Sequence, residues 1–459
     1  MNNAAKAGSG LDSFTSNEAR TQHIASTLKR RRGKEFRFRM LGVLAVVLSI
    51  GLVGILFGTI LAKGIPSFWQ ATFVLNVDFS PEVVKLDSPK PVEKPGESPA
   101  EYEQRLNEWA NQLNFINWNK LLLDAVAKVL PESVDNRRAV LEMFASSSRF
   151  DLRNMVIENP DIIGKSETLD LVASANVDVW IKGNIDRSLP DSQQQISADA
   201  RKWSDQLYAE GVIQNKFSTV LFTNADSRSS PATAGLLGAF VGSLMMMVVV
   251  ILLAVPVGVA AAVYLEEFAP QNKFTDFIEV NINNLAAVPS IVFGLLGASV
   301  FIIMFNLPLS APLVGGLVLS LMTLPTVIIA TRASLKAIPP SIREGALALG
   351  ASRVQAITDH VLPLARPGIL TATIIGVAQA LGETAPLLLI GMSAFVANVP
   401  ATPLDPSTAL PVQIFLWNGN ELRNFFEGRT SAAIIVLLVL MLTLNSLAIW
   451  LRKKFEIRW

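Results

Sequence analysis

The chain has 459 residues, of which 51% are hydrophobic and 17% are charged, and its formal net charge at pH 7 is +1. The charged fraction lies well below the roughly 25% of a soluble domain, which argues against a wholly soluble protein. There is no cysteine, which excludes disulfides, and the two histidines are too few for a histidine-based metal site.

The hydrophobic residues are clustered in long stretches that carry almost no charge. A membrane-spanning helix needs roughly 20 apolar residues. Val280–Thr331 is long enough for two spans, with a break at Asn306–Pro312. The sequence therefore predicts six transmembrane helices in an all-α membrane protein. The stretches are Leu41–Ala62, Leu236–Leu265, Val280–Thr331, Pro367–Leu404 and Thr430–Leu451.

Basic residues at both ends of the chain predict its orientation. Lys29–Arg39 precedes the first span and Arg452–Lys454 follows the last, so the positive-inside rule places both ends in the cytoplasm. The acidic loop Glu266–Glu279 is a weak exception to this rule. The first span is too long, and starts too far into the chain, for a cleaved signal peptide. The basic run is short and abuts a span, which indicates a topology signal and no nucleic-acid partner.

A large polar segment, Lys63–Pro231, separates the first two spans and carries more acidic than basic residues. Given cytoplasmic ends it is expected to be extracytoplasmic, and it is long enough for its own core. Helical patterns cover Lys120–Leu130, Arg137–Phe144 and Ala198–Ala209, and residues 167–183 alternate in places like a strand. These patterns predict an α or α/β insert, and they contain no catalytic constellation.

The predicted division of the chain follows from these features. It comprises a cytoplasmic basic tail over residues 1–40 (disordered over 1–28), transmembrane helix 1 over 41–62, the extracytoplasmic insert over 63–234, a five-helix core over 235–452 with a cytoplasmic loop over 332–366, and a cytoplasmic tail over 453–459.

The loop between the fourth and fifth spans is half apolar although it lies outside the predicted spans. Ile342, Ala346 and Leu349 recur at helical spacing, so a short helix with one apolar face is expected to end at Gly350. A second short helix is expected to follow and to stop at Pro363.

This loop resembles the coupling loop of bacterial ABC importer permeases, whose pattern is E-A-A, three residues, G, nine residues, I-x-L-P. The matching positions are Glu344, Gly345, Ala346, Gly350, His360, Leu362 and Pro363. Gly345 and His360 depart from the pattern, and His360 is interpreted as a packing or surface residue. The resemblance implies a helix that docks into a groove of a separate ATPase subunit, to which Arg343 or Glu344 would pair, and that passes on its motion as a rigid body.

Further stretches narrow the resemblance. Val288–Gly297, Leu324–Ser352 and Ala380–Gly391 together resemble the phosphate-specific permeases, most closely the A-type permease of the phosphate transport pair, and Gly242–Pro270 fits their first core span. The resemblance covers Gly235–Trp459. It implies a six-span ABC importer permease in the bacterial inner membrane that imports inorganic phosphate. The implied partners are the lipid bilayer, an ABC ATPase subunit, a second six-span permease in a heterodimer and an extracytoplasmic phosphate-binding protein.

Glu383 is the only ionisable residue deep in a predicted span, where an unpaired charge costs a few kcal/mol. It either pairs with Arg332 or Arg366, or accepts a hydrogen bond from the proton of hydrogen phosphate, which sulfate lacks at neutral pH, or lies in a polar cavity. Gly382 and Pro386 are expected to kink this helix. The candidate translocation path is Glu383, Thr384, Arg332 and Arg366.

Other interpretations stay open. A permease for sulfate, molybdate or amino acids would lack the stretches "PSIVFGL" and "GETAPLL". A secondary transporter would need no coupling loop and usually carries inverted repeats, which are not detectable here. A membrane-tethered sensor would not need six spans. An enzyme is not expected, since the chain has no P-loop motif, and no cofactor is implied.

Overall fold

A computed structural model describes residues 17–455. Its contacts divide the chain into two units, Met1–Ala62 and Lys63–Trp459, which are described separately. In the first unit the described residues belong to one helix, α1, which spans Asn17–Gly64 and is exposed along its apolar length. The expected disorder of residues 1–16 lies outside the described residues, whereas residues 17–28 belong to α1, so the expectation is wrong there. The end of the C-terminal tail, residues 456–459, also lies outside it.

The second unit begins with an α/β segment built on a three-stranded antiparallel sheet. Its central strand β1, Trp69–Asp78, pairs on one side with β2, Ser166–Val172, and on the other with β3, Ile213–Phe217. Alternate residues of β1, from Ala71 to Val77, are buried under the flanking helices, as the period of a strand requires. The helices are α2 (Pro99–Gln112), α3 (Trp118–Val129), α4 (Arg137–Met143), α5 (Ser148–Glu158), α6 (Ala175–Ile181), α7 (Ala198–Ala209) and α8 (Val220–Thr223).

The rest of the second unit is almost entirely helical. Its α-helices are α9 (Leu237–Val263), α10 (Lys273–Ala286), α11 (Ser290–Gly297), α12 (Pro312–Lys336), α13 (Pro340–Ala348), α14 (Arg353–Gln355), α15 (Leu362–Gly382), α16 (Ala385–Leu387), α17 (Leu410–Asn418) and α18 (Arg423–Phe455). Single π-helical turns extend four of them, at Tyr264–Phe268, Ala298–Met304, Ala356–Val361 and Leu388–Met392.

Glycines bring α9 and α15 close to α12, which lies between them. A Cβ atom added at Gly316 would come within 2.5 Å of Val249, and one added at Gly368 would come within 2.2 Å of Ser334 Oγ. Small residues at such contacts let helix backbones approach, which is the usual way that helices associate in lipid.

Five helices in the described part of the chain are long and apolar enough to cross a membrane, and a sixth is present if the bent pair Lys273–Ala286 and Ser290–Met304 counts as one span. The pair is bent by 100°. The bend lies at Ala287–Pro289, where the residue before proline avoids the helical region. The predicted break at Asn306–Pro312 is confirmed, because α12 begins at Pro312.

Candidate functional site

The helix α13 forms a short projection between the ends of two long helices. It begins after Pro339 and ends at Ala348, and beyond Leu349 lies Gly350 with a φ of +91°, a value that favours glycine. Ala346 is buried, and Ile342 packs on an apolar cluster formed by the ends of α12 and α15. One side of the helix is therefore attached to the long helices.

The other side of α13 faces away from the chain. Glu344 and Gly345 are exposed, and a Cβ atom at Gly345 would meet nothing within 4 Å. Leu349 is 91% exposed, so the expectation that it shares the buried face of Ile342 and Ala346 is wrong. The reason is local, since the helix ends one residue earlier and Leu349 no longer follows its period.

Arg343 points back into the protein and forms a bidentate ion pair with Glu267. Its Nε lies 3.1 and 3.0 Å from the two carboxylate oxygens, and its Nη2 lies 2.5 Å from Oε1. The guanidinium also donates to the carbonyls of Ile338 and Leu335, at 2.9 and 3.0 Å. The hydrogen-bonded carboxylate raises the pKa of Arg343. The donors of Arg343 are thus used within the chain, so that of the two expected partner-binding charges Glu344 is the one that faces outward.

Arg332 is held by the same acidic loop. Its guanidinium lies 3.3 Å from Glu266 and 2.6 Å from Glu279, and Lys336 lies 3.6 Å from Glu266. The structure therefore gives Arg332 partners other than Glu383. Together with Glu267 and Arg343, these side chains form a cluster that we call the Glu267 junction.

Arg353 completes the Glu267 junction from the far side of the loop. It donates to the carbonyl of Glu267 at 2.5 Å and lies 5.7 Å above the ring of Phe268. The acidic loop that departs from the positive-inside pattern is thus neutralised by the basic loop on which it packs. Sequence analysis missed these acidic residues as a site, although their charge, opposite to that of the loop over 332–366, was a usable signal.

The second expected short helix is part of a long one. Residues 353–382 form a continuous helical element, so the expectation that it stops at Pro363 is wrong. A π-helical turn at Ala356–Val361 precedes Leu362 and Pro363, both half-buried, and Pro363 lies in the first turn of α15, where a proline is tolerated. His360 is exposed on the π-helical turn, at the surface.

A second feature is the break between α15 and α16. The first helix ends at Gly382, Glu383 is extended, with φ −78° and ψ 131°, and the next helix begins at Ala385, so the predicted kink is confirmed. The side chain of Glu383 is half-buried and has no hydrogen bond or ion pair within residues 17–455. Thr384, also half-buried, accepts backbone hydrogen bonds from the start of the next helix.

The break adjoins another interrupted helix. A Cβ atom added at Gly294 would lie 2.7 Å from the Cα of Pro386, so α11 contacts the chain directly after the break. Arg366 is exposed and has no ion pair in the described part of the chain. The structure thus brings Arg332 and Arg343 together in the Glu267 junction, and neither Glu383 nor Arg366 belongs to it. The described residues also contain no group of three or more His, Cys, Asp or Glu side chains that could hold a metal ion.

Comparison with known proteins matches two families to different parts of the chain. Residues 232–458 match the family described as a binding-protein-dependent transport system inner membrane component. Residues 25–191 match a second family, described as a domain of unknown function (DUF3333). The helices that carry the Glu267 junction and the break at Glu383 therefore all lie in the first match.

Three similar proteins each match about half of the chain. The probable ABC transporter permease protein YqgI of Bacillus subtilis is 29% identical over 254 residues, which are 52% of this chain and 86% of that protein. YqgH of the same organism, another probable ABC transporter permease protein, is 33% identical over 50% of this chain and 75% of that protein. The phosphate transport system permease protein PstA 2 of Mycobacterium bovis is 33% identical over 49% of this chain and 74% of that protein.

Proposed function

Because the chain belongs to the family of binding-protein-dependent transport system inner membrane components, we propose that it is the permease subunit of an ATP-driven importer of inorganic phosphate. Members of this family are transport subunits of the inner membrane and not enzymes, and they work with an ATPase. The phosphate substrate rests on the names of the similar permeases and on the phosphate-specific stretches in this sequence.

The observation that carries the proposal is the exposed side of α13. Leu347 and Leu349 are 47% and 91% exposed. Because α13 is not one of the long apolar helices proposed to cross the membrane, lipid does not account for this exposure. Exposed apolar residues beside an unpaired carboxylate, here Glu344, are typical of a surface that binds a partner protein. We assign this surface to an ABC ATPase subunit, with Glu344, Gly345 and Gly350 at the contact.

The proposed topology has six spans with both ends in the cytoplasm, counting the bent pair Lys273–Ala286 and Ser290–Met304 as one. The insert over 63–234 is then extracytoplasmic, and the loop over 332–366 is cytoplasmic. The Glu267 junction supports this assignment, since the acidic residues of the loop Glu266–Glu279, the exception to the positive-inside rule, are paired there with basic side chains. The remaining proposed partners are a second six-span permease and an extracytoplasmic phosphate-binding protein.

We place the translocation path at the break between α15 and α16. A carboxylate without a partner among the described residues, next to an interrupted helix, is the arrangement expected where backbone lines a polar cavity. Glu383 would accept a hydrogen bond from the proton of hydrogen phosphate, and Thr384 would lie beside it. Arg366 remains a candidate path residue on sequence grounds, and Arg332 is assigned to the Glu267 junction.

Copurification tests the assembly. The full chain is extracted from membranes in mild detergent, and an ATPase and a second permease are expected to accompany it. The Glu344→Lys variant should insert but retain less ATPase, because the reversed charge lies on the docking surface. The proposal fails if the purified chain alone, without an ATPase, carries out phosphate uptake in liposomes.

A further inference from the structure

Besides the apolar packing of Ile342 and Ala346, the helix α13 is attached to the long helices at three places. Residues 337–339 join it to the end of α12, and residues 349–352 join it to the helix that begins at Arg353. The third attachment is not covalent. It is the ion pair between Arg343 of α13 and Glu267, which lies on the π-helical turn that extends α9.

The first two attachments are places where the helical backbone is interrupted. Pro339 precedes α13 with extended backbone, and Gly350 follows it with a left-handed φ of +91°. Backbone that changes direction outside a helix can absorb rotation, as the hinges of moving domains do. These two segments alone would let α13 tilt relative to the long helices.

The third attachment opposes such a tilt. Arg343 binds both oxygens of Glu267 and also donates to the carbonyls of Leu335 and Ile338. A bidentate pair fixes orientation as well as distance. The side chain of Glu267 is 7% exposed, so water competes poorly for it.

We infer that Glu267 is a positioning residue that fixes α13 to α9. When a docked ATPase displaces α13, α9 then moves together with α12 as one body. This inference rests on the proposed function, since it takes α13 to be the docking element. The contact does not involve the ATPase, so it differs from the docking surface around Glu344.

The first test compares two variants of the complete transporter in liposomes. Glu267→Gln keeps the shape but weakens the hold on Arg343, and Asp276→Asn removes the same charge from an exposed position on α10 that has no ion pair in the described residues. The expected result is a several-fold fall in phosphate transported per ATP hydrolysed for Glu267→Gln, with assembly retained. Asp276→Asn should match the unmodified protein. Equal ratios for all three proteins would overturn the inference.

A second test replaces the ion pair between Glu267 and Arg343 by a covalent bridge. The absence of cysteine in this chain makes such a bridge possible. The double variant Glu267→Cys, Arg343→Cys should be poorly coupled, and a short bismaleimide bridge between the two thiols should recover coupling. A bridge that blocks transport would show that α13 and α9 must move apart, which contradicts the inference. Arg343→Lys keeps the charge but cannot bind both carboxylate oxygens as the guanidinium does. Its ratio of phosphate transported to ATP hydrolysed should be intermediate.

A third measurement does not depend on the substrate. Spin labels at Tyr264, which is 56% exposed, and at Ser341, which is exposed and lies outside the docking surface, report the distance between the end of α9 and the start of α13. The distance should be the same with and without trapped ATP, and should broaden in Glu267→Gln. A distance that changes with ATP in the otherwise unmodified protein overturns the inference. If the distance between the labels behaves as expected but no ATP-driven phosphate uptake occurs, the proposed substrate is wrong, and the inference that Glu267 fixes α13 to α9 is kept.

Discussion

The Glu267 junction and a second junction, around Arg429, hold separate segments of the chain together by opposite means. In the Glu267 junction every guanidinium meets a carboxylate or a carbonyl of the acidic loop, and most of the side chains are partly exposed. Arg429, near the start of α18, is 2% exposed and donates its hydrogen bonds to neutral oxygens, Gln70 Oε1 at 2.7 Å and the carbonyl of Ala232 at 3.2 Å, and the buried carboxylate of Asp178 attracts it without a hydrogen bond. We call this second group the Arg429 junction.

The difference shows how each junction tolerates change. In the Arg429 junction Gln70 is shared, because its Oε1 also accepts from Ser218 at 2.9 Å and its Nε2 donates to Ala232 at 2.7 Å. The buried cation therefore shares the amide of Gln70 with Ser218 and the carbonyl of Ala232 with that amide. In the Glu267 junction several charges of both signs lie close together, so the loss of one is partly compensated.

The largest effect on stability is expected at Gln70. Gln70→Leu leaves Arg429 buried with one acceptor and Ser218 without one, and should lower the free energy of unfolding by about 3 kcal/mol. Arg429→Met removes the charge itself and leaves Gln70 bound to Ser218 and Ala232, so its cost should stay below about 1 kcal/mol. Thermal unfolding of the full chain in detergent measures both. A greater loss for Arg429→Met than for Gln70→Leu would contradict this account of the Arg429 junction.

A smaller loss is expected at Arg332. Arg332→Gln leaves Glu279 unpaired, while Glu266 keeps Lys336 at 3.6 Å. Because these side chains are partly exposed, the cost should be about 1–2 kcal/mol. The matched control is Asp276→Asn, which should change the unfolding temperature little. Equal effects for the two variants would show that the ion pairs of Arg332 do not stabilise the protein.

The stabilities of variants in the two junctions should respond differently to salt. Raising the ionic strength from about 0.15 M to about 1 M shortens the Debye length from about 8 Å to about 3 Å. The difference in stability between the unmodified protein and Arg332→Gln should then narrow, since salt screens the ion pairs that the variant lacks. The difference for Gln70→Leu should not change, because Arg429 is shielded from ions. The same salt dependence for both variants would mean that the junctions do not differ as described.

Glu383 belongs to neither junction, and its replacement should affect stability least. Glu383→Gln should assemble normally and change the free energy of unfolding by less than about 0.5 kcal/mol, because the carboxylate has no partner in the described part of the chain. If Glu383 accepts a hydrogen bond from the proton of hydrogen phosphate, uptake of phosphate and of arsenate should fall in parallel, by roughly tenfold or more. Uptake of sulfate should fall less. Competitive uptake by the complete transporter measures this. Normal assembly with unchanged anion ranking would remove Glu383 from the path.

Local patterns in the sequence predicted much of the fold. The helix predicted over Ala198–Ala209 is found with those bounds, and the break at Asn306–Pro312 is confirmed, because caps, prolines and apolar period act within a few residues. The bend at Ala287–Pro289 was missed, because the surrounding residues are apolar on both sides of it. The π-helical turns were also missed, since a single extra residue in a helix changes its period only slightly.

The candidate site was predicted in part. The spacing around Gly350 indicated the projecting helix, which the structure places at Pro340–Ala348. The partners of its charges were not predictable, because Glu267 and Arg343 are 76 positions apart and a single sequence does not show which acid meets which base. Glu383 was recognised from its isolation in an apolar stretch, but its lack of a partner needed the structure.

The most direct test of the central claim is phosphate uptake by the complete transporter in liposomes, driven by ATP, with the unmodified chain and with Glu344→Lys. Glu344 is exposed and unpaired in the described residues, so the variant should fold and insert normally. If α13 docks the ATPase, the unmodified transporter imports phosphate only when ATP is present, and the variant loses uptake because the reversed charge weakens docking. ATP-driven phosphate uptake by the Glu344→Lys transporter at the unmodified rate would contradict the claim.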